Sequence, residues 1–345
     1  MREKMRAAVL YDIDDIRIEE REVPRIHAGE LLVQTRASGI CSGDIMAWYV
    51  RRKAPLVLGH EPAGVVVDVG EGVSDFKCGD RVFVHHHAPC FACSFCMRGD
   101  HVQCAQWRAS KIDPGGLAEF FRVPRENVTD TLQLPDAMPF VDGSLVEPLA
   151  CVVKSLRRGA VRSGDTLYVV GLGVMGLMHA LVGATHGARI VGSDFNDSRR
   201  EHAAQLGVRA VHPDRAESEI KALTGGRGAD VVICGPGSPD ALRNALAAVS
   251  AGGRVVMFTP FEPGTPFSFD PNDLYFRDLT LVASYSCGPH DTREALGLLA
   301  AGAVTAEKLG AVTFPLAEAA DAYRALASAR IVKPIVTFEP NLFEP

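Results

Sequence analysis

The order of apolar and polar positions changes character once along the 345-residue chain. Through about residue 150, short apolar runs at 5–10, 31–38, 63–69 and 81–85 are separated by Gly, Pro and Asp. Runs of that length between turn residues predict strands, and 62–70 and 79–84 suit a small barrel better than a βαβ unit. Beyond residue 150 strand and helix patterns alternate: 166–170, a glycine turn, a helix over 175–185, a strand over 189–193 and a helix over 198–206. The alternation continues through 230–234, 241–249 and 254–258. It predicts a parallel doubly wound sheet, so the fold class is α/β. From about Pro289 two helices (293–301 and 316–327) and a strand (333–338) follow, and that strand is expected to return to the first domain.

Composition narrows the function classes. Hydrophobic residues make up 47% and charged residues 23%, ordinary for a folded two-domain chain. The net charge of −6 and the lack of a basic block argue against a nucleic-acid partner. The apolar run 167–184 raises the question of a membrane span, but Gly171, Gly173, Gly176 and Gly183 fall where a strand–turn–helix needs them. No membrane segment is expected. The charged N-terminal residues run straight into a strand pattern, which predicts no secretory leader and a cytoplasmic protein.

Four of the nine cysteines cluster as Cys90-x2-Cys93-x2-Cys96-x7-Cys104. Four thiolates at that spacing can close a tetrahedron around zinc, leaving no open position, so the site would be structural. An iron–sulfur cluster and two disulfides are the alternatives. His85, His86 and His87 precede the cluster. Neighbours on a strand alternate faces, so one or two could face a cleft while the rest pack or lie at the surface.

The turn Gly171-Leu172-Gly173-Val174-Met175-Gly176 fits G-x-G-x-x-G after a strand and before a helix. Backbone can approach a pyrophosphate there, and the helix start offers free N–H groups. Asp194 lies 23 residues after Gly171, where a carboxylate can accept both ribose hydroxyls and repel a 2′-phosphate. This predicts NAD, against which Arg199 and Arg200 are the counter-signal. A helix N-cap is the alternative role for Asp194, and a solvated helix face for the arginines.

Three further segments carry ligand-type residues: Gly39 to Asp44 with Cys41, Gly59-His60-Glu61-Pro62, and Leu145 to Cys151 with Glu147. Each is unremarkable alone. Together with the cysteine lobe and the glycine turn, in this order, they resemble the zinc-dependent medium-chain dehydrogenase/reductase family over essentially the whole chain. Glu147-Pro148-Leu149-Ala150 is similar to the sorbitol, polyol and threonine dehydrogenase branch.

The resemblance implies a GroES-like β-barrel catalytic domain from residues 1–150 and 290–345, with a zinc lobe at about 86–107, around a Rossmann domain at 151–289. It implies two zinc ions per chain. The catalytic one would sit on Cys41 and His60, with Glu147 where other branches carry a third Cys and Glu61 as ligand or neighbour. Asp44 would orient His60. Hydride would pass between NAD and a secondary alcohol or ketone, such as a polyol, cyclic polyol or sugar derivative, in a homodimer or homotetramer.

The chain departs from the family pattern at Gly43 and Met46, where many members carry a hydroxyl and a His that pass the alcohol proton to solvent. Ser42, a cofactor ribose, Glu61 or water could take over. The loop holding Arg51, Arg52 and Lys53 is expected to wall the pocket, either favouring an anionic substrate or forming a solvated charge run. A zinc-free enoyl or quinone reductase and a non-catalytic binder are the other classes.

Overall fold

The computed structural model describes residues 3–339. It divides into two compact units, one built from residues up to Ala150 together with those from Cys287, the other from Cys151–Ser286.

In the first unit the strands run β1 (Lys4–Asp12), β2 (Asp15–Glu22), β3 (Leu31–Gly39), β4 (Leu56–Val57), β5 (Glu61–Val69), β6 (Arg81–Val84), β7 (Phe120–Val123) and β8 (Thr131–Gln133). The second unit contributes β9 (Thr166–Val170), β10 (Arg189–Ser193), β11 (Arg209–Val211), β12 (Ala229–Cys234), β13 (Val249–Met257) and β14 (Thr280–Ala283). The chain then returns to the first unit with β15 (Val312–Pro315) and β16 (Pro334–Thr337).

The larger sheet of the first unit has the order β15-β16-β3-β5-β6-β8, with β7 also on β3; a smaller one has the order β2-β1-β4. β16 pairs antiparallel with β3, Ile335 opposite Gly39, which fixes β16 beside the segment leading to Cys41. Val33, Val66, Val82, Val84, Phe121 and Val123 fill one core. Ile40, Val50, Leu58, Leu117 and Tyr323 fill another, which anchors the loops on both sides of Cys41 and His60.

The sheet of the second unit is wholly parallel, in the order β11-β10-β9-β12-β13-β14. β9 is buried at every position, as a central parallel strand covered on both faces must be. The strand order reverses beside β9, and in open sheets of this kind ligands bind at the carboxyl end of that switch point. The apolar run 167–184 is divided between β9, the turn and the helix Val174–Thr185. Among the described residues no helix is long and apolar enough to cross a membrane.

Candidate active site and metal centres

Cys41 caps a short 3-10 turn, Ser42–Ile45, and its sulfur accepts from the Gly43 N–H at 3.3 Å. His60 and Glu61 lie where the chain enters β5. Ligand atoms of Cys41, His60 and Glu61 lie within 4.8 Å of one another. Gly39 makes this possible: a Cβ there would sit 1.9 Å from Glu61 Oε2.

Glu61 is fully buried, and Lys333, buried just before β16, donates to its Oε2. Lys333 also donates to the Ile40 carbonyl at 3.1 Å. Burial raises the Glu61 carboxyl pKa against the pull of Lys333 and His60. Its other oxygen, Oε1, is buried without a hydrogen-bond partner. A buried carboxylate oxygen left unpaired is costly, and a divalent cation held with the Cys and His would satisfy it. The donor set of thiolate, imidazole and carboxylate suits zinc.

Asp44 faces His60, with Oδ2 3.7 Å from Nδ1, and receives the Tyr323 hydroxyl at 3.4 Å. Burial lowers the His60 pKa, but Asp44, Cys41 and Glu147 together raise it well above its ordinary value. Glu147, on the helix Val146–Arg158, is buried and acts on both His60 and Glu61 through its charge. It stands outside their close group; a carboxylate oxygen lies within 4.8 Å of the Cys287 sulfur. Ser42, beside Cys41, is exposed.

The three histidines separate. His85 is fully buried; its Nδ1 pairs with Asp130 at 2.6 Å and its Nε2 lies 3.6 Å from the Cys287 sulfur. Burial lowers its pKa, but Cys287 and Asp130 raise it well above its ordinary value. His86 packs against His60, ring centroids 5.0 Å apart. His87 stacks on Trp107 at 4.1 Å and bonds the Ser110 carbonyl at 2.7 Å. Burial, then the neighbouring rings and Lys53, hold His86 well below the usual range. Burial also outweighs the Ser110 bond at His87, which falls to about 4.

The sulfurs of Cys90, Cys93, Cys96 and Cys104 lie within 4.8 Å of one another. Cys90–Cys96 and Cys93–Cys96 are 3.9 and 3.5 Å apart. Four zinc–sulfur bonds of about 2.3 Å imply sulfur edges of roughly 3.8 Å, whereas a disulfide needs about 2.05 Å. All four thiols are free. The N–H groups of Cys90 and Cys93 donate to the sulfurs of Cys104 and Cys90 at 3.4 and 3.3 Å.

In the second unit Gly171 has φ +87°, and a Cβ on Gly176 would sit 1.9 Å from the Gly171 carbonyl, so the tight turn requires glycine at both. The helix that follows has no side-chain cap on Gly173, leaving the N–H groups of Val174, Met175 and Gly176 available to a phosphate. Asp194 Oδ2 accepts from the Leu172 N–H at 2.8 Å, and Oδ1 from the Asn196 N–H at 2.9 Å. Asp194 is therefore tied to the turn, and the cap of the next helix is Asn196 instead. Arg199 reaches Asp194 at 3.5 Å, while Arg200 bonds the carbonyls of Asp194 and Phe195.

Residues 27–136 match the alcohol dehydrogenase GroES-like domain, and residues 171–301 match zinc-binding dehydrogenase. The chain is 30% identical to L-galactonate-5-dehydrogenase of Escherichia coli K12 over 93% of its length and 95% of that protein's. It is 32% identical to sorbitol dehydrogenase of Bacillus subtilis 168, over 74% and 75%. A solved zinc-binding dehydrogenase of Sinorhizobium meliloti 1021, bound to NADP, superposes with a TM-score of 0.86 at 28% identity, covering 97% of this chain and all of that one.

Sequence reasoning missed Lys333. The hydrophobic pattern marks it only as the first residue of a strand, and its partner Glu61 is 272 positions away.

Proposed function

The chain belongs to the zinc-dependent medium-chain alcohol dehydrogenases, and on that basis we propose that it transfers hydride between NAD and a secondary alcohol or ketone of the polyol or sugar-derivative class. The observation that carries this is the convergence of Cys41, His60 and Glu61, with one Glu61 oxygen buried and unpaired. Cys41, His60 and Glu61 would hold the catalytic zinc, and Cys90, Cys93, Cys96 and Cys104 the structural one. When bound, zinc supplies Lewis-acid polarisation of the substrate oxygen and NAD the hydride acceptor.

This chain's residues do the rest. Asp44 and Tyr323 hold the His60 ring, as a metal-bound imidazole requires. Lys333 neutralises Glu61 and keeps its unpaired oxygen turned from the ammonium. Glu147, buried and acting on His60 and Glu61 through its charge, would orient a substrate hydroxyl and accept the proton that the residues at Gly43 and Met46 cannot. The N–H groups of Val174, Met175 and Gly176 bind the pyrophosphate, and Asp194 receives the adenosine ribose. Its fixed carboxylate repels a 2′-phosphate, which supports NAD here although a relative binds NADP.

The relatives' names, L-galactonate-5-dehydrogenase and sorbitol dehydrogenase, support the substrate class. Nine free cysteines suit a reducing, cytoplasmic compartment. A homodimer or homotetramer fits the open outer edge of β14, where Leu281 is exposed. NAD reduction against secondary alcohols, polyols, inositols and sugar phosphates, with zinc measured on the same sample, tests the reading. Turnover with about two zinc per chain is expected; one zinc, or turnover without zinc, would overturn it.

A further inference from the structure

The basic loop between Cys41 and His60 does not behave as a uniform charged surface. Arg51 donates to Asp12 at 2.8 Å and is spent in a surface ion pair. Arg52 and Lys53 have no carboxylate partner among the described residues. Both are held on aromatic rings instead. The Arg52 guanidinium lies 5.7 Å from the Trp48 centroid and 5.9 Å from that of Tyr49. The Lys53 ammonium lies 3.7 Å from the Tyr49 centroid. The two rings are locked edge to face at 5.7 Å.

The loop itself is anchored. Val50 is buried among Ile40, Leu58 and Leu117, and Ile45, Tyr49 and Ala54 pack on the same core. A cation on a ring face is fixed in place, yet its N–H groups are not used up as they are in a carboxylate pair. The loop that carries both cations thus packs on the core that seats Ile40 and Leu58, the chain neighbours of Cys41 and His60.

We propose that Arg52 and Lys53 are specificity-determining residues that recognise an anionic group on the substrate, which is therefore a polyol carrying a carboxylate or a phosphate. A neutral polyol would leave both cations unmatched, whereas an anion placed there gains charge-assisted hydrogen bonds while its reacting carbinol lies at the metal ligands. This rests on the dehydrogenase reading above.

The test uses the zinc-loaded full chain with NAD and three substrates sharing one carbon skeleton: a hexitol, the matching aldonate and the hexitol monophosphate. At least one anionic substrate should exceed the hexitol in kcat/KM by about tenfold, through KM, and this advantage should shrink as salt is raised. Whichever anion is preferred identifies carboxylate or phosphate as the source. Lys53→Met and Arg52→Met should each reduce the anionic advantage several-fold, Lys53→Arg should retain it, and Arg51→Met should match wild type. Hexitol turnover with no anionic preference, or a preference that survives Arg52→Met/Lys53→Met, would overturn this proposal alone. No turnover of any of the three would overturn this proposal, and the dehydrogenase reading falls with it when the secondary alcohols, inositols and sugar phosphates named above are also inert.

Discussion

Lys333 and Glu61 form an ion pair that is almost completely removed from solvent, 272 residues apart in the chain and beside two metal-ligand candidates. A buried pair of this kind adds little net stability, but removing one partner strands a charge, at about 3–5 kcal/mol. Lys333→Met should therefore lower the unfolding free energy of zinc-free protein by that amount in urea titrations. Adding Glu61→Gln should recover part of the loss. Equal stability of Lys333→Met and wild type would show that the pair does not form.

The two metal centres should fail differently. Cys41→Ala or His60→Ala should lose one zinc and all turnover while keeping the circular-dichroism spectrum and nearly the same Tm. Cys96→Ser should lose the other zinc and reduce Tm by roughly 3–4 °C, about 2–3 kcal/mol for a protein of this size, because a closed site contributes folding energy. Metal analysis with thermal melts on both variants decides this.

Asp194 bonds to the glycine turn through one oxygen and to Asn196 through the other. Replacing it by Ala removes both the ribose acceptor and the charge that opposes a phosphate. The NAD-over-NADP ratio of kcat/KM should fall by at least about tenfold, equivalent to about 1.4 kcal/mol. An unchanged ratio would exclude Asp194 from cofactor choice.

His85 gives a pH signature. Cys287 and Asp130 outweigh burial and raise its pKa well above its unfolded value of 6.5. A raised pKa means the stabilisation is complete below about pH 6.5 and is lost as pH climbs through the folded value. Asp130→Asn should thus be more destabilising at pH 6 than at pH 9 in matched denaturant titrations. A gap that widens toward alkaline pH would contradict the charged pairing.

The parts of this molecule legible in the sequence are those encoded locally. Buried parallel strands such as Thr166–Val170 are continuous apolar runs, and the glycine turn carries its own steric demand. The edge strand Asp15–Glu22 was missed because it shows no apolar face: it is charged, largely exposed and held by pairing with β1. The helix Pro213–Thr224 was passed over although its spacing buries only Ala216, Ile220 and Thr224 on one side. Lys333 was illegible because a buried cation is defined by its partner, and nothing near it in the chain announces Glu61. The three consecutive histidines could not be sorted by spacing alone; their roles follow from Asp130, His60 and Trp107, each brought in by another segment.

The pairing of β16 with β3 also orders events during synthesis. The parallel-sheet unit is one uninterrupted stretch and can begin folding while translation continues. The metal-ligand unit cannot be finished then, since its strand β3 lacks its neighbour and Glu61 lacks its ammonium until residues 333–337 leave the ribosome. Until that moment the nascent chain exposes thiols and a carboxylate without the cation that balances them. Zinc uptake by Cys41, His60 and Glu61 would thereby be a late, largely post-translational step, whereas the cysteine lobe, closed by residues 90–104, could take an ion much earlier.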